Sequence, residues 1–289
     1  MSDSPPDPTD DSPIRHVSDT AFWVATYRAN EGERKDALFS DPLAARLVEG
    51  RGRQIAARMS DTKMLAWMIP IRTRIIDDLV AQAIADGCDL VVNLGAGLDT
   101  RPYRLELPAT LTWIEVDFAE TIAFKEARLA GEPARCRLER ASVDLADTAA
   151  RRAFLDGVAA RAKKALVLTE GVIPYLSNDE TAALADDLRA RDAFAWWIVE
   201  YIERRPPISR ARRRQMAAAP FRFSPGDWTA FFAAHGWHMQ TLRSYGDEAR
   251  RHRRPPPFDW KVRLLLALAP RRTREKWRRG YGFAVLARS

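Results

Sequence analysis

Three acids, Asp117, Asp144 and Glu170, each follow a short strand-like run, and a glycine pair, Gly95 and Gly97, follows the run before them. Carboxylates at the ends of neighbouring strands can accept hydrogen bonds from a ribose diol, an adenine amino group and an ammonium. The glycines point the same way. In Leu90-Val91-Val92-Asn93-Leu94-Gly95-Ala96-Gly97-Leu98-Asp99-Thr100-Arg101 an apolar run ends in a turn that lets a ligand approach the backbone closely. Trp113-Ile114-Glu115-Val116-Asp117 then sets a carboxylate about 20 residues past the glycines, where a ribose-binding acid belongs. A single acid after a strand is otherwise an ordinary helix N-cap, and that alternative weighs most on Asp144.

The turn also discriminates between cofactors. A dinucleotide fold wants a third small residue, G-x-G-x-x-G/A, so that the next helix packs close under a pyrophosphate. Here that position is Thr100, and Asp99 adds negative charge where a pyrophosphate needs neutral or positive surroundings. S-adenosylmethionine has no phosphate and carries a sulfonium cation, with which nearby carboxylates are compatible. The residues therefore favour it over a nicotinamide cofactor.

Only a parallel sheet brings these groups to one place. Strand candidates at 90–94, 112–117, 137–143, 165–169 and 194–201 alternate with helical patterns at 121–130, 148–162 and 179–191. That rhythm predicts right-handed βαβ units, with ligands beyond the carboxyl ends of the strands. A helix at 229–235 and two strands at 237–243 and 281–287 follow, the strands able to pair antiparallel at one edge. The expected fold is α/β: a Rossmann-like seven-stranded sheet, mostly parallel with an antiparallel edge strand, helices on both faces and a helical N-terminal extension over 20–86. The sequence divides into a disordered tail (1–19) and one domain (20–289), made of a helical lid (20–86), a cofactor-binding core (87–203), and a substrate lid with the final strands (204–289).

Composition narrows the function classes. The 289 residues are 46% hydrophobic, enough for a sizeable core, and the two cysteines, Cys88 and Cys136, show neither metal-ligand spacing nor a disulfide framework. A reducing, cytoplasmic setting is expected, with no metal. Residues 1–13 lack an apolar signal segment. The net charge of +7 is concentrated in late arginine runs, which could meet nucleic acid, an acidic membrane surface or an acidic partner, or simply form a solvated face. No recognition helix or zinc spacing accompanies them, so no nucleic-acid partner is expected. Residues 261–268 are too short to span a bilayer and are expected to form a core-facing helix stopped by Pro270.

The run 92–105 with its Gly-Ala-Gly turn, Glu115-Val116-Asp117 and Leu168-Thr169-Glu170-Gly171-Val172 resembles the leucine carboxyl methyltransferase family of class I S-adenosylmethionine-dependent enzymes. Segments 20–31, 39–44 and 71–77 are similar to its bacterial members, so the resemblance spans roughly residues 20–205. It implies that Gly95 and Gly97 pass beneath the methionine part of the cofactor, with Ala96 and Asp99 in the same turn. Asp117 would hold the ribose hydroxyls, and Asp144 with the backbone of Leu145 would meet the adenine edge. Glu170 would face the ammonium. Arg72 would face the carboxylate, with Arg74 as its competitor, and Arg28 would join it, with Arg34 or Lys35 as substitutes.

The implied reaction is O-methyl transfer to a carboxylate or hydroxyl of a small molecule. A carboxylate needs no general base; a hydroxyl would want one, and His16, His235, His238 and His252 sit in no motif. Tyr175, after the fourth strand, is placed to position a substrate or else to pack as a core aromatic. Pro206, Pro207, Arg210 to Arg214, Phe221, Phe223 and Trp228 would form a lid over a flat or aromatic acid. The alternative function is a basic Rossmann-like protein that binds nucleic acid or an acidic carrier protein.

Overall fold

The computed structural model describes residues 14, 16, 18–48, 50–59, 62–203 and 214–288. Seven strands form one sheet in the order β3-β2-β1-β4-β5-β7-β6. They are β1 (Leu90–Leu94), β2 (Thr112–Asp117), β3 (Arg137–Ser142), β4 (Ala165–Thr169), β5 (Phe194–Ile202), β6 (Trp237–Ser244) and β7 (Tyr281–Arg288). The first five pair parallel, and β7 pairs antiparallel with both β5 and β6. The antiparallel strand lies one place in from the edge, so the outermost strand, β6, runs with the parallel set.

Strand sequence follows strand position. β1 and β4, at the centre, are buried at every residue and read as unbroken apolar runs apart from Asn93 and Thr169. β3, at one edge, alternates exposed and half-buried residues and carries Arg137, Glu139 and Arg140, charges that discourage edge pairing. Strand pleating sends Leu90, Val92 and Leu94 to one face and Val91 to the other. The first face is covered by α7 (Thr148–Ala159), α8 (Asn178–Arg189) and α9 (Trp228–Ala234), through Leu155, Leu184, Leu188 and Phe232.

The second face is covered chiefly by α4 (Thr62–Ala85), whose Ile71, Ile75 and Leu79 recur at four-residue spacing against Val91, Trp113, Leu166 and Ile198. Pro70 lies inside this helix. Before it, Leu65 and Ile69 pack instead with Trp23 and Tyr27 of α1 (Asp19–Glu31) and with Ile55 of α3 (Arg51–Arg58), as a separate apolar cluster beside the sheet. One helix thus joins sheet and N-terminal extension. Of the expected tail, 1–13 lies outside the described residues, while Ile14 is fully buried in this cluster, so the packed part begins before residue 20.

Other helices are α2 (Pro42–Leu47), α5 (Arg101–Arg104), α6 (Ala119–Arg128), α10 (Tyr245–Arg251), α11 (Trp260–Leu268) and α12 (Arg271–Arg279). The segment expected to face the core, α11, does not: it has no buried residue, and Trp260, Leu264, Leu265 and Leu268 are exposed. By the time the chain reaches α11, earlier helices already cover both sheet faces, leaving no bare apolar face to receive it.

Candidate active site

A cavity of about 350 Å³ opens at the carboxyl ends of β1, β2 and β4, a size within the small-molecule range. Its floor is the turn after β1. Gly95 has φ +68° and Gly97 φ +48°, and Ala96 N–H donates to Val116 O at 2.9 Å, tying the turn to β2. A Cβ on Gly95 would stand 2.5 Å from Val172 Cγ2, and one on Gly97 3.1 Å from Ala21 Cβ. Since Val172 and Ala21 both line the cavity, their close approach leaves no room for a side chain at Gly95 and little at Gly97.

Asp117 meets this turn from β2, its Oδ2 accepting from Gly97 N–H at 2.7 Å and its Oδ1 from Phe118 N–H at 2.8 Å. Asp144 accepts from Ala146 N–H at 2.9 Å, whereas the N-cap of α7 is Asp147, bonded to Ala149 and Ala150 N–H. The helix-cap alternative for Asp144 therefore falls to its neighbour, and Asp144 is left exposed on the cavity wall beside Leu145.

Glu170 accepts from Arg72 Nε at 2.7 Å and Arg101 Nη1 at 2.6 Å. Burial alone would raise its pKa, but the two guanidinium groups outweigh this and hold it down to about 2. Asp99 accepts from Asn93 Nδ2, Arg101 N–H and Arg101 Nη1, each at 2.9 Å. Its burial is likewise overcome, chiefly by Arg101, so it too stays well below the usual carboxylate range. Both its oxygens are engaged within the protein, with Arg101 the main partner.

All eleven residues singled out beforehand line this one cavity: Arg28, Arg72, Gly95, Ala96, Gly97, Asp99, Asp117, Asp144, Leu145, Glu170 and Tyr175. Their competitors do not. Arg74 pairs with Asp78 one helical turn on, and Arg34 pairs with exposed Asp36; neither they nor Lys35 lines the cavity. None of the four histidines lines it either.

A supporting layer escaped sequence reading. Arg101 is almost fully buried and binds Asp77, Asp99 and Glu170 together. Arg104 pairs with Asp77 at 2.7 Å, and Arg28 with Asp41 at 2.9 Å, where Thr100 Oγ1 also donates at 2.7 Å. With Arg72, four arginines face four acids. The available signal was the run Asp99-Thr100-Arg101-Pro102-Tyr103-Arg104, directly after the glycines.

The residues expected to form a lid lie in different places. Pro206, Pro207 and Arg210 to Arg213 lie outside the described residues, and Phe221 lines the cavity. Phe223 and Trp228 do not. Both are buried among the core residues of the first sheet face, Trp228 Nε1 donating to Glu200 O at 3.0 Å. Apolar Leu65, Met68, Ile69 and Met216 line the cavity instead, residues that carry no chemical signal in sequence. Cys88 and Cys136 take no part: burial pushes each thiol up to about 11, away from the thiolate.

Comparison with known proteins matches residues 21–189 to leucine carboxyl methyltransferase. The chain belongs to that family. The matched span holds all eleven predicted residues and the whole arginine–acid layer, so it includes the cavity floor. Among relatives of this methyltransferase family member, a Frankia alni protein named as a candidate S-adenosyl-L-methionine-dependent methyltransferase is 32% identical over 257 residues, 82% of this chain and 89% of the relative. A Streptomyces avermitilis protein of the same description is 35% identical over 246 residues, 78% of this chain and 84% of its own. The crystal structure of a candidate methyltransferase from Thermobifida fusca shares the fold, with a TM-score of 0.54 at 17% identity, covering 100% of this chain and 99% of that one.

Proposed function

We propose that this chain is an S-adenosylmethionine-dependent O-methyltransferase acting on a carboxylate or hydroxyl of a small molecule. The observation that carries the reading is the meeting, in one cavity, of the Gly95-Ala96-Gly97 turn with Asp117 on one side and Glu170 on the other.

The residues fit that cofactor. Acceptors suited to hydroxyls and an amino group stand at Asp117 and Asp144. Glu170 and Arg72, held 2.7 Å apart, offer opposite charges to the two ends of an amino-acid group. Among the described residues the buried Oδ1 of Asn93, which lines the cavity, has no hydrogen-bond partner, so one acceptor stands uncommitted beside Asp99. Bound there, the cofactor supplies an electrophilic methyl on a sulfonium.

The protein's task is then alignment and exclusion of water. Trp23, Leu65, Met68, Ile69 and Phe221 give the cavity an apolar lining fit for the hydrocarbon or aromatic body of an acceptor. Tyr175, its ring 5.3 Å from Phe221, can place the acceptor's polar end. A carboxylate acceptor is already ionised near neutral pH, in keeping with a cavity that no histidine lines.

Calorimetry with S-adenosylhomocysteine tests the cofactor, and transfer of labelled methyl to a panel of apolar carboxylic acids and phenols tests the reaction. Binding followed by labelling of an oxygen is the expected result. No heat of binding at millimolar concentration would overturn the reading, and labelling only of nitrogen or carbon would overturn its O-methyl part.

A further inference from the structure

Among the described residues, five of the eight exposed large hydrophobic side chains lie on the pair α11–α12. Leu264, Leu265 and Leu268 are 52%, 70% and 77% exposed, and Trp260 and Trp277 are 69% and 54% exposed. A soluble surface tolerates single apolar residues, but five large ones on two successive short helices form a patch that calls for a covering. Around them, residues 260–279 contain eight basic side chains against one acid, Glu275, as much excess charge as the +7 of the whole chain. Arg263 and Arg272 are exposed and have no carboxylate in reach among the described residues.

The second helix of the pair, α12, is tied to the fold. Arg278 binds Asp247 of α10 at 2.8 Å, and the ring of Trp277 meets Phe258 edge-on at 5.9 Å. Its position matters. Tyr281, the first residue of β7, pairs with Ile202, the last of β5, and Glu203 N–H donates to Gly280 O at 3.0 Å. The carboxyl end of α12 therefore stands at the carboxyl ends of the parallel strands, the end of the sheet where the cavity opens.

We infer that α11 and α12 dock on an anionic lipid surface. Exposed leucines that enter the acyl boundary, tryptophans at headgroup level and a surrounding excess of arginine are the elements of interfacial binding. Charge complementarity selects this occupant. A nucleic acid would satisfy the arginines and leave the leucines in water, and a second copy would bring one strongly positive face against another. The helices lie on the surface; α11, at nine residues, cannot cross it. The docking is independent of the cofactor reading and tested without it.

The full chain is to be floated with phosphatidylglycerol–phosphatidylcholine vesicles and with phosphatidylcholine vesicles. Binding to the first, weakening as salt is raised, is expected. The double variant L265D/L268D should reduce partitioning at least about tenfold, since each leucine loses the transfer of its side chain from water. R263E/R272E should abolish the preference for anionic vesicles. Because all four residues are exposed, the thermal midpoint of both variants should match that of the parent. Failure of the parent to bind anionic vesicles, equal binding to both kinds, or binding unchanged in L265D/L268D would each overturn the inference. So would sedimentation showing a dimer that L265D/L268D dissolves, which would mean that a second copy covers the patch.

Discussion

Arg101 donates from Nη1 to Glu170 Oε2 at 2.6 Å although 69 residues separate them, closing the gap between β1 and β4 where the sheet reverses its winding. The same guanidinium holds Asp77 and Asp99. The charge pattern of the cavity floor therefore depends on one side chain that has almost no contact with solvent.

Removing Arg101 should be costly. Arg101→Ala leaves three buried or nearly buried acids without their common counter-charge, and breaking such a pair costs about 3–5 kcal/mol. Urea denaturation should show a loss of that order, and Arg101→Lys a smaller one, since a lysine cannot reproduce the guanidinium fork. A midpoint equal to the parent's for Arg101→Ala would show that the network adds no stability.

Two buried glutamates should give opposite pH responses. Glu170 is held down to about 2, so its contribution is present above the ordinary carboxyl range and is lost as pH falls from about 4.5 towards 2. Glu200 accepts from Gly171 N–H, yet burial outweighs the nearby Arg72 and pushes it up to about 7. A raised acid binds its proton more tightly when folded, so stability declines as pH rises from about 4.5 to 7, by on the order of 3 kcal/mol. Glu200→Gln should remove that decline, measured as thermal midpoints between about pH 5 and pH 9. Parallel curves for variant and parent would refute the assignment.

Gly95→Ala combines two faults, a positive φ and a Cβ 2.5 Å from Val172 Cγ2. The backbone term alone costs about 1–2 kcal/mol. Adding Val172→Ala removes the clash and leaves the backbone term, so the double variant should recover part of the lost stability and cofactor binding. A double-mutant cycle with no coupling between the two sites would contradict this geometry.

Asp117→Asn keeps the side chain's shape and removes its charge. Cofactor affinity should fall about 10- to 100-fold by calorimetry, because a charge-assisted pair of acceptors becomes one neutral acceptor and one donor. The ligand-free protein should melt close to the parent, since Asp117 is only half-buried and its partners are backbone amides at the mouth of the cavity. Unchanged affinity would remove Asp117 from the site.

The sequence alone determined what covalent neighbours decide. Strand, glycine turn and terminal acid are local strings, and the alternation of strands and helices fixed a parallel sheet that carries Asp117, Asp144 and Glu170 to one end. That Asp147 caps α7 is local, since it stands directly before the helix; that Asp144 lies on the cavity wall is not. Which of Arg72 and Arg74 lines the cavity is a matter of three dimensions: two residues that far apart on a helix differ by about 200° in direction, and only packing of α4 on the sheet says which side faces the cavity. Arg101 is assigned no role in the sequence; the fold surrounds it with acids from α4, from the turn after β1 and from the segment after β4. The apolar run of α11 looked like core until the helices before it had covered the sheet. Burial belongs to the assembled chain, because a side chain's surroundings are supplied by residues far away in sequence.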